Sequence, residues 1–437
     1  MLEINMNYQN NFNKICELLK KYSTADDYQV NYLGTKNNLT RFADNMLTQN
    51  IENEYEEVYL TTWFDAKKAT LQTANLSEGG IKELIKRSED IAKKSMKDVE
   101  YLPSLKNDHQ TINHNLDENL LDLSPTKRSA VVGFAINEAV KNQMTAAGTF
   151  NSSVDHVGVA TKNHLQKFHI QSECAFSATF DKCNEQTNCR ASSMTFTDLN
   201  YQKAIEEGIR DAELMQNKIT MPPGKYDVLL SGHAYTELNF MGAGYGMDRK
   251  AYDKGYSAFN KKIGSQIAPE HVNLFTDPNS SHAACKPFMY DGLSVSKNML
   301  IENGILKNLP TSRFWGHQNN LQAFGISNLI MDGSHLSDDL LIQKIERGFY
   351  IKDIWYIRIV NPEDLTLTGM TRNALFYIED GKVKSGATHF RWNDSPMLMF
   401  NRIKDVGIPK REQFWNYPSY MPPVIIKDFN LTSSTLF

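Results

Sequence analysis

Apolar residues recur at three- and four-residue steps near the start of the chain, where Phe12, Ile15, Leu18, Leu19 and Tyr22 predict an amphipathic helix. Strand-like text follows in Tyr28 to Leu33, Leu39 to Leu47 and Val58 to Phe64, rich in aromatic and β-branched residues. Ser77 then precedes a second helix with Ile81, Leu84, Ile85, Ile91 and Ala92 on one face and lysines on the other. Helix, strands and helix in that order are α+β in character.

Residues 101–123 are polar, with Pro103 and several Asn and Asp, and read as a connection. Ser124-Pro125 forms an N-cap with proline at the first helical position, and Val131, Val132, Ala135, Ile136, Ala139 and Val140 continue that helix. Alternating runs at Val157 to Ala160, Phe168 to Ile170 and Ala175 to Phe180 predict an antiparallel meander. Asp198 is placed to cap a further helix carrying Ile205, Ile209, Ala212 and Met215. Met221-Pro222-Pro223-Gly224 marks a domain boundary. Beyond it, Tyr226 to Leu230, His271 to Phe275, Met299 to Ile301, Trp355 to Val360 and Leu375 to Ile378 read as strands. Asn303-Gly304 and Asp380-Gly381 are tight reversals among them. The expected organisation is an α+β segment over 1–100, a helix and antiparallel-strand segment over 101–222, and a large β-rich domain of mainly antiparallel strands over 223–437.

Composition agrees with this picture. The chain has 437 residues, 41% hydrophobic and 22% charged, enough to bury a substantial core. A mean hydropathy of −0.47 and no long apolar run argue against a membrane span. Met1-Leu2-Glu3-Ile4-Asn5 lacks the basic and apolar regions of a secretory leader, so a cytoplasmic protein is expected. The net charge of −4 provides no basic face for nucleic acid. The five cysteines, Cys16, Cys174, Cys183, Cys189 and Cys285, are scattered and read as buried free thiols.

Motifs with chemistry are sparse. Gly242, Gly244 and Gly246 alternate, but they follow a helix rather than open one, and read as a flexible turn. Among eleven histidines, His109/His114 and His164/His169 are pairs five residues apart, and neither has a Glu beside its first His. Solvated or structural roles are expected for both, the second pair lying in a strand that turns its members to opposite sides. His156, His271, His282, His317, His335 and His389 are isolated.

The order of longer segments is more telling. Leu39-Thr-Arg-Phe-Ala-Asp-Asn-Met-Leu-Thr-Gln-Asn50, Glu89-Asp-Ile-Ala-Lys93, Lys262-Ile-Gly-Ser-Gln-Ile267, Thr276-Asp277-Pro278 and Tyr290-Asp-Gly292 come in turn. Leu300 to Leu306, Trp355-Tyr-Ile-Arg358, Thr368-Gly-Met-Thr-Arg372, Phe376 to Lys382, Arg391-Trp-Asn-Asp-Ser395 and Lys427-Asp-Phe429 complete the set. Together they resemble the TldD/PmbA family, known as modulators of DNA gyrase and classed as zinc metallopeptidases. The resemblance implies an α+β N-terminal region, a β-rich C-terminal region and a subunit that pairs with a second family member. Catalytic members carry His-Glu-x-x-x-His on a helix after the first C-terminal strand, with a later cysteine as third ligand and the Glu as general base.

The matching place here is Ser231-Gly-His-Ala-Tyr-Thr-Glu-Leu-Asn-Phe240, with His233 at the first ligand position, Ala234 beside it and Leu238 where the second His would stand. Arg347 to Lys352 holds no cysteine. His233 and Glu237, four apart, are remnants able to share one helix face. No catalytic residue, no metal ligand set and no cofactor of its own is expected, since one imidazole does not hold a catalytic zinc. The resemblance therefore implies the PmbA-like (TldE-like) branch, a subunit pairing with a TldD-like zinc peptidase or with itself to act on unfolded peptides, without nucleic acid or membrane. A peptide-binding scaffold with no link to proteolysis and a self-sufficient homodimeric peptidase with a non-standard site are the alternatives.

Overall fold

The structure, a computed structural model, describes residues 2–414 and 417–435; Met1, at the head of the stretch read for a leader, lies outside the described residues. The first half runs α1 (Leu2–Tyr22), β1 (Asp27–Ala43), β2 (Met46–Phe64), β3 (Lys67–Thr73), α2 (Glu78–Ala92), α3 (Glu118–Leu121), α4 (Pro125–Lys141), β4 (Thr145–Thr161), β5 (Gln166–Lys182), β6 (Glu185–Ser193) and α5 (Tyr201–Leu214). Its strands form one antiparallel sheet in the order β3-β2-β1-β4-β5-β6.

Strand β1 sits between β2 and β4, so the text on either side of the 101–123 connection shares a sheet. It also shares a core, in which Phe12 of α1 and Phe42 of β1 join Val132 of α4 and Phe176 of β5. Leu39 to Leu47 is not a single strand. Asp44 and Asn45 adopt φ of 50° and 58° and reverse the chain, pairing Phe42 with Leu47. Short polar side chains tolerate that left-handed backbone. Two caps follow expectation, with the Oγ of Ser77 and of Ser124 accepting from the backbone N–H of Gly80 and Lys127. Asp198 does not cap α5. It accepts instead from Thr195 Oγ1 at 2.6 Å, and Asn200 holds the cap position without a side-chain bond.

The second half runs β7 (Lys218–Ile219), β8 (Gly224–Leu230), α6 (Gly232–Gly246), α7 (Arg249–Asp253), β9 (Leu274–Thr276), β10 (Asn298–Glu302), β11 (Ile305–Leu306), α8 (Arg313–Asn319), β12 (Leu329–Met331) and α9 (Asp338–Ile342). It continues as β13 (Arg347–Asn361), β14 (Thr366–Glu379), β15 (Lys382–Ala387), β16 (Phe390–Asp394), α10 (Pro396–Phe400), β17 (Ile403–Val406), β18 (Lys410–Phe414), β19 (Tyr417–Met421) and β20 (Val424–Ser434). One sheet follows the order β13-β8-β20-β16-β14-β15-β7, and β13 also pairs with β14. That extra pairing closes β13, β8, β20, β16 and β14 into a ring, which leaves those strands no free edge. Trp392 is fully buried against Gly369, where an added Cβ would lie 2.5 Å from the indole. A smaller sheet, β11-β10-β9-β12-β19-β18, flanks the ring. The fold is α+β, with a mixed N-terminal region and a β-rich C-terminal region.

Gly242, Gly244 and Gly246 lie inside α6 rather than in a turn after it. Close packing accounts for two of them. A Cβ on Gly246 would come within 2.9 Å of Phe259, and one on Gly242 within 3.2 Å of Pro396. Among the described residues, no helix is long and apolar enough to cross a membrane.

Candidate functional site

Strand β8 ends at Leu230, and the next residue, Ser231, caps α6, its hydroxyl donating to the Lys352 carbonyl at 2.6 Å and accepting from the Ala234 N–H at 3.0 Å. These two bonds pin the start of α6 to β13. His233 falls in the first turn of α6, and Glu237 one turn on reaches its Nε2 with Oε1 at 3.2 Å. From β18, Glu412 places Oε2 3.4 Å from the imidazole Nδ1. From β13, Asp353 sets Oδ1 3.9 Å from Nε2. Three carboxylates from three elements thus converge on one imidazole.

A second cation arrives from the N-terminal sheet. Arg190 of β6 donates through Nη1 to Asp353 Oδ1 at 2.5 Å, and Asn373 Nδ2 donates to the other Asp353 oxygen at 2.6 Å. The charges hold one another ionised. Burial and the neighbouring Arg190 charge press the His233 pKa down, but Glu237 and Glu412 outweigh them and raise it to about 9. Burial alone would raise the Asp353 pKa, yet Arg190 and His233 hold it below the usual carboxylate range. At neutral pH, His233 is therefore an imidazolium with both ring nitrogens protonated.

This donor set does not fit the zinc that the resemblance assigns to catalytic members of the family. A zinc ligand needs a free nitrogen lone pair, and both His233 nitrogens face carboxylates as an ion-paired cation. Among the described residues, no group of three or more His, Cys, Asp or Glu side chains is arranged to hold a metal ion.

The cluster opens into a cleft of about 520 Å³ between β6 and α5 on one side and the C-terminal region on the other. Lys352, paired with Asp211 at 2.9 Å, and Arg411, whose Nη1 donates to the His282 carbonyl at 3.2 Å, line the same cleft. Its walls carry both signs of charge, suited to an extended polar chain rather than an apolar ligand.

The remaining candidate residues lie elsewhere. The structure brings together one member of each histidine pair, His114 and His169, with ring centroids 6.0 Å apart. His164 lies in the turn before β5 with φ of 67°, so only His169 is in the strand. His114 Nδ1 accepts from the Ile170 N–H at 3.2 Å, and burial pushes His169 down to about 4, leaving it neutral. All five cysteines are free thiols; Cys183 is exposed, where a buried thiol was expected. Arg372 and Arg358 lie over the rings of Trp355 and Tyr356 at 4.2 and 4.3 Å. Arg190, Asp353 and Glu412 were not singled out by sequence reasoning, and no local spacing ties them to His233.

Comparison with known proteins agrees with this layout. Residues 223–433 match the family model of the PmbA/TldA metallopeptidase C-terminal domain. The region from 223 to 433 is a PmbA/TldA metallopeptidase C-terminal domain by this match. It is 24% identical over 144 residues to a metalloprotease of Methanothermobacter thermautotrophicus, covering 30% of this chain and 32% of that protein. A metalloprotease of Archaeoglobus fulgidus is 22% identical over 147 residues, covering 31% of this chain and 35% of that protein. The matches span about a third of the length of these curated relatives. The fold resembles TldE from Thermococcus kodakarensis, with a TM-score of 0.84 at 15% identity over 96% of this chain and 99% of that one. It also resembles a protein of Bacteroides thetaiotaomicron described as a modulator of DNA gyrase, with a TM-score of 0.85 at 14% identity over 98% and 99% of the two chains.

Proposed function

We propose that this chain is a TldE-like subunit without zinc of its own, which pairs with a TldD-like zinc peptidase and shapes the place where unfolded peptides are held. The observation that carries this reading is the start of α6. There the family's helix after the first C-terminal strand presents His233 as an ion-paired cation among Glu237, Asp353 and Glu412. Hydrolysis needs a metal-polarised water and a free carboxylate to take its proton. Here the carboxylates already neutralise His233 and Arg190, so the chemistry falls to the partner's metal. The mixed-charge cleft contributes main-chain and side-chain partners to an extended peptide.

The test is co-expression with a TldD-like chain bearing His-Glu-x-x-x-His, followed by size-exclusion chromatography and hydrolysis of an unfolded peptide. Co-elution and chelator-sensitive cleavage in the mixture, with none from this chain alone, are expected. Separate elution, or cleavage by this chain alone, overturns the reading.

A further inference from the structure

We propose that Arg190 is the built-in cation of the His233 pocket, a guanidinium that takes up the negative charge a divalent metal would otherwise neutralise. Glu237, Asp353 and Glu412 gather three carboxylates around a single imidazole. Even with His233 protonated, that group keeps a surplus of negative charge. Arg190 offsets one of the two surplus charges at 2.5 Å from Asp353 Oδ1, while Asn373 fills the other Asp353 oxygen at 2.6 Å. Both oxygens of the most buried carboxylate are thereby engaged, and an incoming metal ion would have to displace a bidentate-capable cation fixed on a strand.

The guanidinium comes from the other half of the molecule. Arg190 belongs to β6, the last strand of the N-terminal sheet, whereas Asp353, His233 and Glu412 belong to the C-terminal region. The same ion pair that closes the pocket to metal therefore fastens the two regions where the cleft begins. Its removal leaves an acidic, partly buried cluster without its fixed cation, so that a divalent ion becomes the available counter-charge once the side chains rearrange around it.

The experiment measures zinc on the tag-free, full-length isolated chain, by isothermal titration and by metal content after dialysis against micromolar zinc at pH 7. The wild-type chain is expected to retain no stoichiometric zinc, and Arg190→Lys to match it. Arg190→Ala is expected to take up zinc about a thousandfold more tightly, the scale set by deleting a unit charge about 4 Å away at an effective dielectric near 20. Adding Asp353→Asn to that variant should abolish the gain. Circular dichroism checks the fold, and Arg190→Gln replaces the alanine variant if the latter does not fold. A folded Arg190 variant that binds zinc no better than wild type overturns the proposal. So does wild-type zinc binding that is lost in His233→Ala. The readout is made on the isolated chain, so failure to find a partner subunit would refute the pairing and leave this test standing.

Discussion

Breaking the Arg190–Asp353 pair should expose how much of the molecule's stability passes through the junction of its two regions. Exposed ion pairs are worth about 0–1 kcal/mol, whereas breaking a fully buried pair costs about 3–5 kcal/mol. This pair lies between those limits, because the Asp353 side chain is 4% exposed and the Arg190 side chain 35% exposed. A coupling energy of about 2 kcal/mol follows, the buried figure discounted for solvent around the arginine. The assay is a double-mutant cycle of wild type, Arg190→Ala, Asp353→Ala and the double variant in urea, followed by tryptophan fluorescence at pH 7. Trp355 lies on β13, the strand that carries Asp353, and Trp392 on β16 of the same ring of strands. The coupling should also vanish in acid. The Asp353 pKa is depressed in the folded chain, so its contribution is present at neutral pH and fades below about pH 4, as pH falls through the folded value. A coupling under about 0.5 kcal/mol at pH 7, the size seen for independent sites, would refute the idea that this pair is a joint between regions.

Other outcomes follow from the same geometry. His233 has its pKa raised to about 9, so its contribution is full below about pH 6.5 and is lost as pH rises through 9. Thermal stability should therefore fall from pH 7 to pH 10 in the wild-type chain, and His233→Gln should remove that part of the slope. Gly348→Ala should destabilise by more than about 3 kcal/mol, since its Cβ would lie 1.9 Å from the Asp227 carbonyl oxygen between paired strands. A urea midpoint for this variant equal to wild type would show that β13 and β8 shift apart freely.

Much of the fold was legible because its signals are local. The periodicity of Phe12, Ile15 and Leu19, the caps at Ser77 and Ser124, and the reversals at Asn303-Gly304 and Asp380-Gly381 each depend on residues a few positions apart. The failures have equally specific causes. Asp44-Asn45 lacks the glycine that usually marks a hairpin, so two strands read as one. Gly242 and Gly246 look like turn residues, yet they are small because Pro396, Phe259 and Leu365 press on α6. The i, i+4 spacing of His233 and Glu237 correctly put them within reach on one helix face.

By itself, then, the sequence determined the α+β class, the helix starts, the family resemblance and the lone imidazole at the head of α6. Only the tertiary structure decided what surrounds that imidazole. Arg190, Asp353 and Glu412 come from three strands far apart in the chain, and they meet because one sheet ends at β6 beside a ring of strands closed by β13. Periodicity is written in neighbouring residues, but charge compensation is a property of distance in space, and no spacing along the chain encodes it.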